Sequence, residues 1–364
     1  MKKLLLSLSA SLLVLPMSAQ LTKVLTAEKF NEYGLVYSLP TTALEITVKA
    51  RKEVRTPGPY AQYARHYLGK HDVITERTVN WTVTEVSVTP VGVKNNTTQY
   101  LMQLKPGATT FIGVDDNGML LSVNAAPSMR SGQQSPVSME SVMIAEGGKI
   151  DEYLTYVDMD FVSAQNSMKQ AELLANTLMD VRDAINSLNN GTSDNAPADG
   201  RQHELMLNEL KAQRDAITRA FEGTVAVEEF SRQYTYIPQD EGEEVLFRIS
   251  DFSGLVDKDD YSGAPVYIKT EVVQEGTLPV DINGEEKKVP KDAVVYALPG
   301  TARISVYTSG AGFFNKEMEF AQFGTTFGLA PTLFTDKKAA TYARFSPVTG
   351  ALLEIGLVSD LEKE

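Results

Sequence analysis

The sequence predicts an α+β fold, predominantly β: two duplicated antiparallel β units with a long antiparallel helical hairpin inserted between them. Three observations carry this. A short pattern recurs near both ends, in which Tyr37-Ser-Leu-Pro40-Thr-Thr-Ala43 with Ile46-Thr-Val48 returns as Tyr296-Ala-Leu-Pro299-Gly-Thr-Ala302 with Ile304-Ser-Val306. Tyr60-Ala-Gln-Tyr63 with Tyr67 returns as Phe320-Ala-Gln-Phe323 with Phe327, and Gly118-Met-Leu-Leu-Ser-Val123 as Gly350-Ala-Leu-Leu-Glu-Ile355, in the same order. Repeats of this kind describe a structural unit, because the repeated residues are apolar, aromatic or turn-forming. The second observation is period-two alternation on both sides of the chain's middle, and the third is a change to helical period within it.

The first element is a targeting segment. Met1-Lys2-Lys3 supplies positive charge, Leu4 to Leu15 is apolar, and Pro16-Met-Ser-Ala19-Gln20 reads as a signal-peptidase site cut after Ala19. Residues 1–19 are thus expected as a signal peptide; the apolar stretch is short of the roughly 20 residues that span a bilayer. Residues 20–157 are expected as the N-terminal β unit. Val79, Trp81 and Val83 alternate on one strand face, Asn117-Gly118 favours a tight hairpin, and Tyr60, Tyr63 and Tyr67 share one face of a short helix ending at Gly69. Ser128 to Lys149, rich in Ser, Gly and Gln, reads as a long loop or weakly structured crossover.

Residues 158–222 are expected as the helical hairpin. Ala171, Leu174, Leu178, Val181, Ile185 and Leu188 make a coiled-coil-like seam that Asn189-Asn-Gly191 stops. A second helix over Arg201 to Glu222 carries Leu207, Leu210, Ile217 and Phe221 on one side and ends at Gly223. At 1.5 Å per residue the first helix reaches roughly 40 Å, so part of the hairpin is expected to project or to bridge the two ends. Residues 223–364 are expected as the C-terminal β unit, duplicating parts of 35–125. Within it, Arg248-Ile-Ser-Asp-Phe-Ser253-Gly254-Leu-Val256 matches Arg344-Phe-Ser-Pro-Val-Thr349-Gly350-Ala-Leu352 position for position. Whether the two units form separate sandwiches or one sheet is open at this level.

Composition limits the chemistry. The chain has 364 residues, a net charge of −13 and no cysteine. Exported and cysteine-free, it has no disulfide, lipobox or thiol chemistry, and its stability rests on a hydrophobic core. The acidity and the lack of a basic cluster argue against a nucleic-acid partner. After signal cleavage no segment is apolar enough to span a membrane. The three histidines, His66, His71 and His203, lack zinc-ligand spacing, and His203-Glu204 has no second histidine four positions on. Asp257-Lys-Asp259-Asp260-Tyr-Ser-Gly263 is the best calcium candidate, but its glycine comes one position late for an EF-hand and Ile268 occupies the place of the bidentate glutamate. It reads as a solvated acidic loop. No Gly-x-Ser-x-Gly elbow, Walker loop or dinucleotide fingerprint occurs. No catalytic, cofactor-binding or metal-binding residue is therefore assigned, and no cofactor is expected. The aromatics offer a platform for sugar rings or peptide side chains; repeated in both units, they read more readily as core.

Together, Tyr37-x-Leu-Pro40, the element from Tyr60-Ala-Gln-Tyr63 to Leu68-Gly69, the paired helices ending Phe221-Glu-Gly223, Phe247 to Val256 and Arg344 to Leu352 resemble an uncharacterised family of exported Bacteroidetes proteins, domain of unknown function 4831. The resemblance covers nearly the whole mature chain. It implies the periplasm or cell envelope of a Gram-negative bacterium and brings no activity, substrate or catalytic residue. The expectation is a non-enzymatic envelope protein that binds or scaffolds a glycan or protein partner. The alternative is a carboxylate-dependent hydrolase of polysaccharide or peptidoglycan, acting at a cleft between the β units.

Overall fold

The computed structural model describes residues 22–24, 34–102, 111–127, 139–145, 147–192, 199–336 and 339–361. The expected signal peptide, 1–19, lies outside the described residues. In chain order the strands are β1 (Thr22–Val24), β2 (Leu35–Thr56), β3 (Thr78–Met102), β4 (Ile112–Val114), β5 (Leu120–Val123), β6 (Met139–Ala145), β7 (Thr224–Tyr236), β8 (Gly242–Ser250), β9 (Gly254–Val256), β10 (Ala264–Gln274), β11 (Val294–Tyr307), β12 (Gly312–Leu329), β13 (Thr341–Phe345) and β14 (Leu352–Leu357). The helices are α1 (Ala64–Leu68), α2 (Met159–Ser163), α3 (Ser167–Asn190), α4 (Gly200–Glu222), α5 (Thr332–Thr335) and α6 (Val358–Leu361).

Three antiparallel sheets result, with orders β1-β3-β2-β7-β6, β12-β11-β10-β8-β9 and β14-β13-β5-β4. The first two pack face to face. Leu44, Ile46, Val48 and Ala50 of β2 meet Phe247, Val266, Ile268, Ile304, Val306 and Phe320 of the second sheet. Alternation produces this: every second residue of β2 and β11 points inward, and β-branched and aromatic side chains fill the space between the sheets. A second core joins Tyr37, Tyr100 and Met102 to Tyr296, Phe345 and Leu120 beneath the third sheet. A third lies at the far end of β2, where Tyr60, Tyr153, Phe161, Leu174, Leu178, Ile217 and Phe221 pack together.

Sheet membership does not follow the expected boundary at residue 223. β7 belongs to the first sheet, pairing with β2 from Leu44↔Tyr236 to Thr56↔Thr224. The third sheet joins strands from both ends of the chain, with Ala343 of β13 opposite Val123 of β5. The β units are therefore neither two separate sandwiches nor one continuous sheet. They are two facing sheets closed at one end by a shared third.

The repeated blocks share local features. Each long hairpin, β2–β3 and β11–β12, sits in an antiparallel sheet with a further strand beside its first strand, but β7 follows its hairpin in the chain whereas β10 precedes its own. In both hairpins the ladder breaks register at the repeated proline, between Ser38 and Pro40 and between Leu298 and Gly300. The residue after each repeated tyrosine donates to a repeated glycine: Ser38 N to Gly118 O at 2.9 Å, and Ala297 N to Gly350 O at 3.0 Å. The middle block is a correction. Tyr60 to Tyr63 leads through a 3-10 turn into α1, whereas Phe320 to Phe323 lies in β12. The likeness of Tyr-Ala-Gln-Tyr to Phe-Ala-Gln-Phe is one of letters, because neighbouring context sets the conformation of so short a segment. The first of the two hairpins is the longer: β2 and β3 run 22 and 25 residues, β11 and β12 only 14 and 18.

The match between the 248–256 and 344–352 segments holds at the level of turn chemistry. Ser250 Oγ accepts from Phe252 N and Ser253 N, and Ser346 Oγ accepts from Val348 N and Thr349 N. Each turn then closes on a glycine at positive φ, Gly254 at 73° and Gly350 at 71°. Gly254 has a second reason to lack a side chain, since the Trp81 ring lies 2.6 Å from where its Cβ would sit.

The helical hairpin forms as expected. Ala171, Leu174, Leu178, Val181, Ile185 and Leu188 are all buried, Asn166 Oδ1 caps α3 by accepting from Lys169 N at 2.8 Å, and Gly191 ends it at φ 68°. On α4, Ile217 and Phe221 are buried while Leu207 and Leu210 are half-buried, so that helix is packed most closely at its C-terminal end. A second correction concerns Ser128 to Lys149, which contains β6. Val142 and Met143 of its apolar run pair with Glu229 and Glu228 of β7, and surrounding Ser, Gly and Gln mask the run in the sequence.

One polar contact fixes the two repeats together. β7 leaves β2 after Leu44↔Tyr236, so Thr42, fully buried, faces the second repeat on that edge without a strand beside it. The Gln322 amide takes the strand's place: Thr42 N donates to Oε1 at 3.0 Å, and Nε2 donates to Thr42 O and Pro238 O, both at 2.9 Å. Thr42 Oγ1 completes the node, donating to Val348 O and accepting from Ala321 N, both at 3.1 Å. Gln322→Ala strands a buried N–H and C=O, and should lower unfolding free energy by about 2–4 kcal/mol. Urea unfolding followed by the fluorescence of Trp81 checks this; a loss under about 0.5 kcal/mol, the range of a surface change, contradicts it.

Candidate functional site

The aromatic residues singled out in the sequence do not form one surface. Tyr60 is buried, and its hydroxyl donates to Gln170 Oε1 at 3.2 Å. Tyr63 bonds Ser167 Oγ at 2.9 Å and Tyr67 donates to Met168 O at 3.3 Å, so all three tyrosines stitch α1 and its lead-in to the start of α3. Phe320 lies in the first core and Phe327 packs on the second. Trp81 is half-buried, beside the Phe230 ring and under Lys52 Nζ at 5.6 Å. These side chains hold the molecule together.

The acidic loop at Asp257 to Asp260 is occupied by its own protein. Arg232 Nη2 pairs with Asp257 Oδ1 at 2.5 Å, Arg248 Nε donates to Lys258 O at 2.8 Å, and Asp260 Oδ1 accepts from Ser262 N at 3.0 Å. The Ser262 bonds hold the Asp260 carboxyl below the usual carboxylate range. Asp257 and Asp260 are thus each engaged by a different protein group. His66 meets only the edge of the Tyr67 ring, and among the described residues no group of three or more His, Cys, Asp or Glu is placed to hold a metal.

A different surface has the makings of a site. Val266, Ile268 and Thr270 of β10 point into the core, so Tyr267, Lys269 and Glu271 point outward. Register places Tyr307 opposite Tyr267, Ser305 opposite Lys269, Arg303 opposite Glu271, and then Asn315 opposite Ser305 and Glu317 opposite Arg303. Of these outward residues, Lys269, Glu271, Ser305, Tyr307 and Asn315 line a hollow of about 510 Å³, bordered also by Gly312, Phe313 and Phe314. Gly312 stands across from Tyr307, and open space lies where its side chain would be. The hollow exists at that end because the strand pair lacks one side chain there.

Its polar groups are held in place. Lys269 Nζ donates to Glu271 Oε1 at 2.5 Å, Arg303 Nη2 to Glu317 Oε1 at 2.6 Å, and Asn315 Nδ2 to Ser305 Oγ at 3.2 Å. The Tyr307 hydroxyl donates to the Glu243 carboxylate, and the Tyr267 and Tyr307 rings lie 6.0 Å apart. The bond to Lys269 holds the Glu271 carboxyl below the usual range, and the same bond raises Lys269. The bond to Glu243, then burial, raises Tyr307. Such an array offers fixed, ionised hydrogen-bonding groups beside aromatic rings. In the sequence, Val266 to Val273 alternates as a strand whose outward residues are Tyr267, Lys269 and Glu271. The signal was there: tyrosine on the outward side of an alternating strand has an apolar ring with no core to fill.

A second hollow of about 570 Å³ lies where the link between β7 and β8 meets β12, lined by Asp240, Glu241, Glu275, Gly276, Gln322 and Phe323 among others. Glu241 Oε1 already accepts from Val272 N at 2.7 Å. No helix among the described residues is long and apolar enough to cross a membrane.

Among known families, the profile described as Domain of unknown function (DUF4831) matches residues 33–353, which takes in all of β2 through the start of β14. No curated protein and no solved structure matches the chain.

Ionisation in the hollow gives a test of its geometry. A depressed carboxyl contributes above its unfolded value of 4.5, and that contribution is lost as pH falls through the lower folded value. Raised Tyr307 has the opposite sense: its contribution is present below 10.0 and lost as pH rises through the higher folded value. Carbon-detected NMR titration should place the Glu271 carboxyl midpoint below 4.5 and the Tyr307 midpoint above 10.0. In Lys269→Met the Glu271 midpoint should move back up. A Glu271 midpoint unmoved by that change contradicts the pairing.

Proposed function

The chain belongs to the family described as Domain of unknown function (DUF4831), and we propose that it is a non-enzymatic protein of the bacterial cell envelope that holds a partner on the outer face of its second sheet. The observation that carries this reading is the hollow bordered by Tyr307 and Asn315, where charged and amide side chains pair with one another beside an aromatic ring. Preorganised polar groups beside aromatic rings lower the ordering cost of binding. Glu271, held ionised, is suited to accepting hydrogen bonds rather than to delivering a proton near neutral pH. Export is supported by Lys2-Lys3, the apolar Leu4 to Leu15 and the small residues before Gln20. The motif resemblance given above supports a Gram-negative, Bacteroidetes-type envelope as its setting. A duplicated fold with a long helical hairpin also suits a scaffold.

The second hollow favours an alternative, hydrolysis of polysaccharide or peptidoglycan, since Asp240, Glu241 and Glu275 share it near the junction of the repeats. Under that alternative, Asp240→Asn or Glu275→Gln abolishes turnover of peptidoglycan fragments or polysaccharide by the purified chain.

Two measurements test the main reading. The mature protein recovered from the envelope fraction should begin at Gln20; a mature chain retaining Leu4 to Leu15 contradicts export by cleavage. With a photo-crosslinking residue in place of Asn315, irradiated cells should give a discrete adduct that the same residue at Asn283 does not. Equal labelling from the two positions removes the case for this face.

A further inference from the structure

We propose that the outer-face hollow of the second sheet is a binding site for an uncharged glycan, with a sugar ring lying against Tyr307 in the space left by Gly312. This rests on the reading of that face as the partner-binding surface, and it names the ligand class. The face combines two kinds of recognition. Tyr307 lines the hollow, half-exposed, with the Tyr267 ring beside it at 6.0 Å, while Phe313 and Phe314 border it but pack against the first core. Aromatic rings of this kind bury the C–H faces of a pyranose without demanding a charged group.

The hydroxyls of a sugar need donors and acceptors at fixed places, and the register supplies them. Asn315 uses one N–H on Ser305, leaving its carbonyl oxygen and second N–H for a ligand. Glu271 Oε1 is engaged by Lys269, leaving Oε2 as an acceptor and two ammonium N–H groups on Lys269 as donors. At about 510 Å³ the hollow falls within the range of roughly 300–1,000 Å³ typical of small-ligand sites.

Charge selects among glycans. The cations at the face, Lys269 and Arg303, are each paired with a carboxylate, and Glu243 adds a further negative charge. The whole chain carries −13. Uronates, sialosides and phosphorylated sugars would meet no unpaired cation and a repulsive field. A protein partner is disfavoured by the same rim: ionised pairs cover the face where a hydrophobic anchor would have to be buried.

The test uses the mature chain with cellohexaose, maltohexaose, xylohexaose and laminarihexaose as neutral probes and hexagalacturonate as the anionic one, titrated by calorimetry. At least one neutral probe should bind, with hexagalacturonate binding at least tenfold more weakly. Tyr307→Ala should weaken the neutral probe by tenfold or more. Gly312→Leu should do the same while removing no contact, because it fills the hollow. Gly312→Leu should melt with the parent protein, and Tyr307→Ala, which loses the bond to Glu243 and the contact with the Tyr267 ring, should melt lower but in one cooperative transition. Binding that survives both substitutions, a preference for hexagalacturonate, or no heat from any neutral probe overturns the proposal. If no neutral probe binds while the Asn315 photo-adduct persists and proves to be protein, the glycan class fails and the partner-binding face stands. If the adduct is absent as well, both fail.

Discussion

β2 is the strand on which the rest of the structure depends, because it runs through two of the three cores and leads the chain into the third. Its first residues, Tyr37 and Leu39, pack under the third sheet. Leu44 to Ala50 supply one side of the contact between the facing sheets. Beyond its end, Tyr60 N donates to Ala220 O at 2.9 Å and the Tyr60 ring enters the helical core. A strand used this way must change neighbours along its length. Pro40 marks the first change, and since proline has no N–H to donate, the ladder's break in register falls there at little cost. Two residues on, the Gln322 amide satisfies Thr42 where no strand is available. Backbone groups this deeply buried are rarely left unpaired, and here a side chain from the other repeat does the pairing.

The duplication has two faces. Hairpin against hairpin, the repeats are alike down to the glycine that receives a bond from the residue after each tyrosine. In the third sheet the likeness is broken: β13, the first strand of the second pair, adds to β5, the last strand of the first. The small hairpins thus join head to tail. That arrangement makes the repeats interdependent, since each completes a sheet that the other starts. It also leaves the outer face of the second sheet free of the contacts that hold the core, so that face can vary in chemistry without disturbing the fold.

How much of this was legible follows from the range of the forces involved. The α3 seam could be read because a long, strongly periodic run has one sensible partner arrangement. Turn glycines and the serines that cap them could be read because the bonds are local, within a few residues. β6 could not, because its seven residues become a strand only by pairing with β7, some 80 positions away. The membership of β7 in the first sheet and the meeting of β5 with β13 are likewise long-range choices. Tyr63 and Phe323 looked alike as letters, yet one ties α1 to α3 and the other lies in β12. At the candidate site, Tyr307 and Asn315 meet only through strand register across the β11–β12 hairpin, and the emptiness opposite Tyr307 depends on one glycine.

The claim that β2 and the shared third sheet bind the two repeats into one body is tested most directly by native-state hydrogen exchange. In rising denaturant, the amides of Leu44 to Ala50, Leu120 to Val123, Ala302 to Val306 and Ala343 to Phe345 should converge on a single opening free energy. Opening of the Ala302 to Val306 amides at a distinctly lower free energy, while those of Leu44 to Ala50 stay protected, would show two independent units and contradict it.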